Sequence, residues 1–340
     1  MGTELVPGRH WIKALLLGAF FYCASAWAEE AQPNGPHPFP GTATTLQDGD
    51  IILNDSLNIV SSFNRQFGYP LGLYTHASIY IELPKEGGRI IGFNDAGIQV
   101  SKPDAMLRRN FRLALLRPRV KPPAGALAVA FQALSGRPLK FDYDMKWPSA
   151  DSNTSYCAGF ISQLYRLAGL AEIDPFPQPA PRAQDYWDGW AQQHLGLQLD
   201  RINSPNAPLL NPNFQILAEY QEANPRLRHR FWINDATMGR MMDYIRTDQR
   251  DVAPPKLGSR LALAAAKAGL VDGVGFIDMP GPRQRVFIAI YEFMLRVEAR
   301  VKRSIILNED QTWDEPAIRA LTVAVADAYR DEFFVPPSPR

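Results

Sequence analysis

Tyr74-Thr75-His76-Ala77-Ser78-Ile79-Tyr80-Ile81-Glu82-Leu83 alternates with a period of two. Ala77, Ile79, Ile81 and Leu83 fall on one side, and His76, Ser78, Tyr80 and Glu82 on the other, the pattern of a strand that buries one face. Pro84-Lys85-Glu86-Gly87-Gly88 reads as a turn and Arg89 to Asn94 as the returning strand, so the segment predicts a hairpin with one histidine near its start. Upstream, Gly49-Asp50-Ile51-Ile52-Leu53 predicts a strand; downstream, Phe111 to Arg117 predicts another. A helix is expected at about 124–135, stopped by Gly136 and Pro138. A second helix opens within Ser152-Asn153-Thr154-Ser155-Tyr156-Cys157-Ala158-Gly159-Phe160-Ile161. It carries Ile161, Leu164 and Ala168 on the face of Cys157 and stops at Gly169.

Beyond the Pro-rich crossing Asp174-Pro175-Phe176-Pro177-Gln178-Pro179-Ala180-Pro181 the β signal fades. Helices are expected near 234–247, 257–269, 283–302 and 315–333. The third has Val286, Ile290, Phe293, Val297 and Val301 on one stripe, which reads as packing. The chain is therefore expected to be α+β, with a mixed part over 47–225 and an all-helical appendage over 226–340.

The N-terminus reads as a secretory signal over residues 1–28. Arg9 and Lys13 precede the apolar run Ala14 to Ala24, and Ala26-Trp27-Ala28 ends it with small residues where a signal peptidase cuts. An uncleaved anchor is the alternative. Residues 29–46, rich in Pro, Gly and Thr, read as an extended leader. The expected location is exported, periplasmic or extracellular, with no membrane span after cleavage. Removing Arg9, Lys13 and Glu4 from 36 basic and 35 acidic residues leaves 34 of each. A net charge near zero gives no electrostatic reason to expect nucleic acid as a partner. At 46% apolar and 21% charged the composition is that of a globular chain.

Cleavage also removes Cys23 and leaves Cys157 as the single thiol, so no internal disulfide can form. A cysteine in the first turn of a helix faces unpaired N–H groups and the positive end of the macrodipole, which favour thiolate. Such a nucleophile needs a base within hydrogen-bond reach, and the base needs an orienting group. Of the five histidines, His10 lies in the signal, His37 in the leader, and His194 and His229 in polar stretches. His76 alone sits on a strand between apolar residues. Taken singly it reads as a half-buried histidine bonded to backbone; beside a helix-start cysteine it reads as the base. Pairing Leu83 with Arg89 puts Ser78 opposite Asn94 and His76 opposite Ala96. Asn94 then shares the face of His76 at roughly 5–8 Å and can orient the ring, with Asp95 as the fallback if the register slips by one. Tyr156 either shapes the pocket, adding an oxyanion donor, or simply packs.

Gly49-Asp50-Ile51-Ile52, then Thr75-His76-Ala77-Ser78-Ile79-Tyr80, then Phe93-Asn94, then Tyr156-Cys157 opening a helix, resembles the circularly permuted papain-like group of the NlpC/P60 superfamily, in particular its YaeF/YiiX branch. Gly136-Arg137-Pro138 leading to Phe141-Asp142-Tyr143 is similar to that group's approach to the nucleophile. The resemblance covers about residues 47–225 and implies a permuted papain-like domain with an antiparallel sheet and a nucleophile helix. Asn94 stands where the group usually has Glu, Ala158-Gly159 where it commonly has Ser-Glu, and Phe141 where Tyr is usual.

The resemblance implies acyl transfer. His76 takes the proton of Cys157, and an acyl-thioenzyme forms and is hydrolysed or passed on, with the Cys157 N–H as oxyanion donor. The expected protein is an exported cysteine peptidase or amidase acting on an amide, such as cell-wall peptide, without cofactor or metal. The alternatives are a lipid ester hydrolase or acyltransferase on the same pair, or a non-catalytic relative with Cys157 in its core. Gly-x-Ser-x-Gly, His-Glu-x-x-His, Walker and Cys-x-x-Cys motifs are all missing. Gly273-Val274-Gly275 lacks the third glycine of a dinucleotide fingerprint. Asp185-Tyr186-Trp187-Asp188-Gly189-Trp190 could stack on sugars but reads more readily as core or rim.

Overall fold

The computed structural model describes residues 37–55, 65, 73–107, 110–142, 146–177, 186–195, 204–255, 281–308 and 313–336. The expected signal over 1–28, the start of the leader and the helix near 257–269 lie outside these residues. The architecture is α+β, built on an antiparallel sheet. Its strands are β1 (Ile51–Asp55), β2 (His76–Leu83), β3 (Gly87–Asn94), β4 (Gly97–Ser101), β5 (Arg112–Pro118) and β6 (Phe214–Gln221), in the spatial order β4-β3-β2-β1-β5-β6.

The strand β6 lies beyond the Pro-rich crossing, where the β signal of the sequence fades, and within the mixed part expected over 47–225. Phe214-Gln215-Ile216-Leu217-Ala218-Glu219-Tyr220-Gln221 buries only Phe214 fully and leaves Gln215 and Ile216 exposed. An edge strand covered so lightly lacks a clean apolar alternation, and its pairing with β5 supplies the order that its own residues do not announce.

The hairpin β2–β3 forms, but two residues out from the expected register: Leu83 pairs with Gly87, and Ser78 with Gly92. The cause is the turn. Gly87 takes φ +69, the left-handed residue that closes a three-residue loop, so the connection spans Pro84 to Glu86 only. A slip of two conserves parity, so every side chain keeps its predicted face.

The two faces hold separate cores. On one, Ala77, Ile79, Ile81, Ile91 and Phe93 pack against α1 (Ala126–Ser135) and α2 (Cys157–Leu167), through Leu127, Leu134, Phe160, Ile161 and Leu164. On the other, Ile52, Tyr80, Ile90, Leu113 and Leu115 bury Phe39, Leu46 and Leu107. The helix α2 ends as Gly169 predicts. That residue has φ +74; its N–H donates to Arg166 O at 3.1 Å and that of Leu170 to Tyr165 O at 2.8 Å, the paired bonds of a Schellman stop. Tyr165 fixes α2 to the sheet by donating its hydroxyl to Gly49 O at 3.0 Å.

After α3 (Tyr186–Leu195) come α4 (Pro225–Arg246), α5 (Gly281–Leu307) and α6 (Glu315–Phe333), which bury a core of their own that includes the stripe Ile290, Phe293, Val297 and Val301. The helix α4 starts well before the expected residue 234, because Asn224 caps it through the Arg226 N–H and Pro225 fits its first turn. This region is not wholly helical: Asp251–Val252 pairs with Phe334–Val335. It is tied to the sheet at the end of β1. Buried Arg65 pairs with buried Asp55, reaches Asp235 of α4 at 3.5 Å and lies over Phe231 at 4.8 Å. Trp190 is buried and stacks on His194, a core role rather than a sugar platform. Among the described residues no helix is long and apolar enough to cross a membrane.

Candidate active site

Two strands that part company create the site. The β1–β2 ladder runs to the very start of β2, where Asn54 pairs with His76. The β2–β3 ladder stops earlier, at Ser78 with Gly92. Successive residues of a strand direct their N–H groups to opposite neighbours. Tyr80 donates to Asp50 O at 2.8 Å on the β1 side, so Ala77, three residues away, directs its N–H to the other flank. There β3 has already separated, and the Ala77 N–H faces the sulfur of Cys157 instead. Cys157 thus sits against the backbone of the residue that follows His76.

The start of α2 is left open for this purpose. Tyr156 occupies the N-cap in an extended conformation, φ −141 and ψ 177, and makes no side-chain cap. The first N–H groups of a helix lack intrahelical partners. Here those of Cys157 and Ala158 face the sulfur. The three N–H groups favour thiolate, as the sequence suggested, but burial outweighs them and pushes the thiol up to about 11. Burial likewise pulls the His76 imidazole down to about 4. At neutral pH the two groups therefore rest as thiol and neutral imidazole, not as an ion pair.

The His76 ring leans toward β3. Its Nε2 lies 3.1 Å from where a Cβ on Gly92 would stand, and Ser78 Oγ lies 2.9 Å from the same point. A glycine inside a strand marks a close approach, and here it admits the ring. Asn94, half-buried at the end of β3, accepts the Ala96 N–H on Oδ1 at 2.9 Å and so holds the turn to Gly97. Asp95 is exposed in that turn. Tyr156 is buried, with Cε1 3.0 Å from the position of a Cβ on Gly159. Phe141 stacks on Phe93 at 6.2 Å, and Phe93 on Phe160 at 5.4 Å, within the core against which Trp147 and Cys157 also pack. The pair Ala158-Gly159 has a packing reason: a Cβ on Gly159 would come within 2.8 Å of Pro148 Cγ.

Sequence reasoning passed over three residues here. Gly92 carried a signal, an isolated glycine in a strand. Ser78 lay in plain view on the His76 face. Asn54, buried opposite His76, donates its amide to Asn110 Oδ1 at 2.9 Å and leaves its own Oδ1 unbonded. Among the described residues no group of three or more His, Cys, Asp or Glu could hold a metal ion.

No family model matches the chain, and no curated protein matches it. A solved structure, that of metalloprotein YiiX from Escherichia coli O157:H7 (DUF1105), is similar over 52% of this chain and 98% of that one, with a TM-score of 0.42 and 15% sequence identity.

Proposed function

We propose that this chain is an exported cysteine hydrolase with a permuted papain-like catalytic domain, in which Cys157 is the nucleophile and His76 its base. One observation carries the reading. The sulfur of the single described thiol sits at an uncapped helix start and faces the N–H of Ala77, the neighbour of a half-buried histidine, where the sheet has opened.

Because thiol and imidazole rest neutral, proton transfer accompanies attack. As sulfur bonds to the substrate carbonyl carbon, the thiol proton passes to His76 and the carbonyl π pair moves onto oxygen. The N–H at the helix start, polarised by the macrodipole, receives that oxyanion. Collapse breaks the carbonyl–leaving-group bond while His76 returns the proton to the departing amine. A water, deprotonated by His76, then releases the acyl group. Phe141 and Trp147, half-buried on the core that Cys157 also packs against, give the acyl side an apolar wall. An amide, as in cell-wall peptide, is the proposed substrate; a lipid ester at the same pair is the second reading, favoured by that wall.

The test is alkylation of the folded protein by iodoacetamide across pH, followed by mass spectrometry of Cys157. His76→Ala should slow labelling at pH 7 by roughly 10²-fold, the usual worth of a positioned base. Labelling that is indifferent to His76→Ala would leave Cys157 a core residue. Trapping an acyl-thioenzyme with activated amide and ester substrates then separates the two substrate classes.

A further inference from the structure

We infer that Ser78 is the positioning residue of His76, its hydroxyl holding Nε2 so that Nδ1 is left to take the thiol proton. The inference rests on the reading of Cys157 and His76 as the reacting pair. A base needs a fixed tautomer, and four positions around the ring could fix it.

Gly92, toward which Nε2 points, has no side chain to offer. Asn94 directs its carbonyl oxygen into its own turn, where it accepts the Ala96 N–H. Asn54 lies across the β1 flank of β2, whereas Nε2 leans to the β3 flank. Ser78 remains. It lies two residues along the same strand, so its side chain leaves the same face. Its Oγ and His76 Nε2 converge over Gly92 at 2.9 and 3.1 Å from one point. Ser78 is 3% exposed, and neither its hydroxyl nor the His76 ring has a hydrogen bond among the described residues. A hydroxyl and a ring nitrogen that stand over the same glycine position pair by side-chain rotation.

The protonation pattern follows. Nε2–H donates to Ser78 Oγ, which makes Nδ1 the unprotonated nitrogen. Nδ1 is the ring atom nearer the main chain, and the Cys157 sulfur rests on the main-chain N–H that follows His76. That leaves Nδ1 as the ring atom to take the thiol proton in the proposed pair. In this site Gly92 and Ser78 together do what a side chain from β3 would otherwise do.

Nitrogen-15 NMR of the His76 ring in the full-length protein reads the tautomer directly. The wild type should show the Nε2–H form; an Nδ1–H ring would overturn the inference without any variant. Ser78→Ala should mix the tautomers and slow Cys157 alkylation at pH 7 at least about 10-fold, and Ser78→Thr, which keeps the hydroxyl, should restore both. Ser78→Ala with an unchanged tautomer and rate, while His76→Ala still slows labelling, would refute Ser78 and leave the pair intact. A rate indifferent to His76→Ala would remove the pair itself.

Discussion

Gly92→Ala tests how the histidine is seated. The added methyl would stand 2.9 Å from Ser78 Oγ and 3.1 Å from His76 Nε2, both closer than ordinary carbon contacts allow. Both atoms are side-chain ends, so they can swing aside by several tenths of an ångström rather than force the sheet apart. Overpacking of this kind costs about 1–3 kcal/mol, and the low end fits neighbours that can rotate. The effect on chemistry should be larger than the effect on stability. A displacement near 1 Å at a reacting group costs on the order of 10²-fold in rate, so a shift of half that size predicts roughly 10-fold slower alkylation of Cys157 at pH 7. Urea unfolding measures the first quantity and timed iodoacetamide labelling the second. Gly97→Ala is the control. It has no atom within 4 Å of its Cβ position but needs φ +92, so it should lose stability without changing the labelling pH profile. If Gly92→Ala labels as fast as wild type while losing stability, the ring does not need its place over Gly92, and the reasoning fails.

Four further outcomes are expected. The folded state holds the His76 pKa at about 4, below the usual 6.5, so only the unfolded chain binds that proton between those values. Stability should therefore fall as pH drops from 6.5 to 4, by up to roughly 3 kcal/mol, and His76→Gln should flatten this limb of the urea-midpoint profile. The raised thiol of Cys157 acts at the other end: stability should decline as pH climbs from 9 toward 11, and Cys157→Ser should abolish that decline in the same assay. Gly159→Ala would improve helix propensity by about 1 kcal/mol but meets Pro148 Cγ at 2.8 Å and Cδ at 2.9 Å on a rigid ring. A net loss of about 1–3 kcal/mol should follow in urea unfolding; a gain would show that Pro148 yields. Asp55→Ala strips buried Arg65 of its nearest carboxylate and should cost about 3–5 kcal/mol in chemical denaturation, with loss below about 1 kcal/mol counting against the buried pair as the tie between β1 and α4.

The local chemistry of β2 and α2 was legible because it is carried by neighbours in sequence. Period-two alternation from Tyr74 to Leu83 sets the faces of β2, and parity protects that assignment even though the hairpin closes two residues from the expected register. Gly169 ends α2 as its lack of a side chain predicts. The stripe from Val286 to Val301 forecast a buried helix face, and Phe293, Val297 and Val301 are fully buried. The strand β6 was not legible, since an edge strand with a mostly uncovered face carries no periodic signal.

At the candidate site, residue type pointed to a thiol beside a helix start and a histidine on a strand, because nucleophile, base and helix punctuation are local properties. What no local pattern contains is where a ladder ends. Only the tertiary structure decided that β3 parts from β2 after Gly92 and leaves the Ala77 N–H facing Cys157, that burial raises the thiol against the helix dipole and lowers the imidazole, and that Nε2 stands beside Gly92. Desolvation and strand separation depend on what surrounds a residue in space, and that surrounding is assembled from segments far apart in the chain.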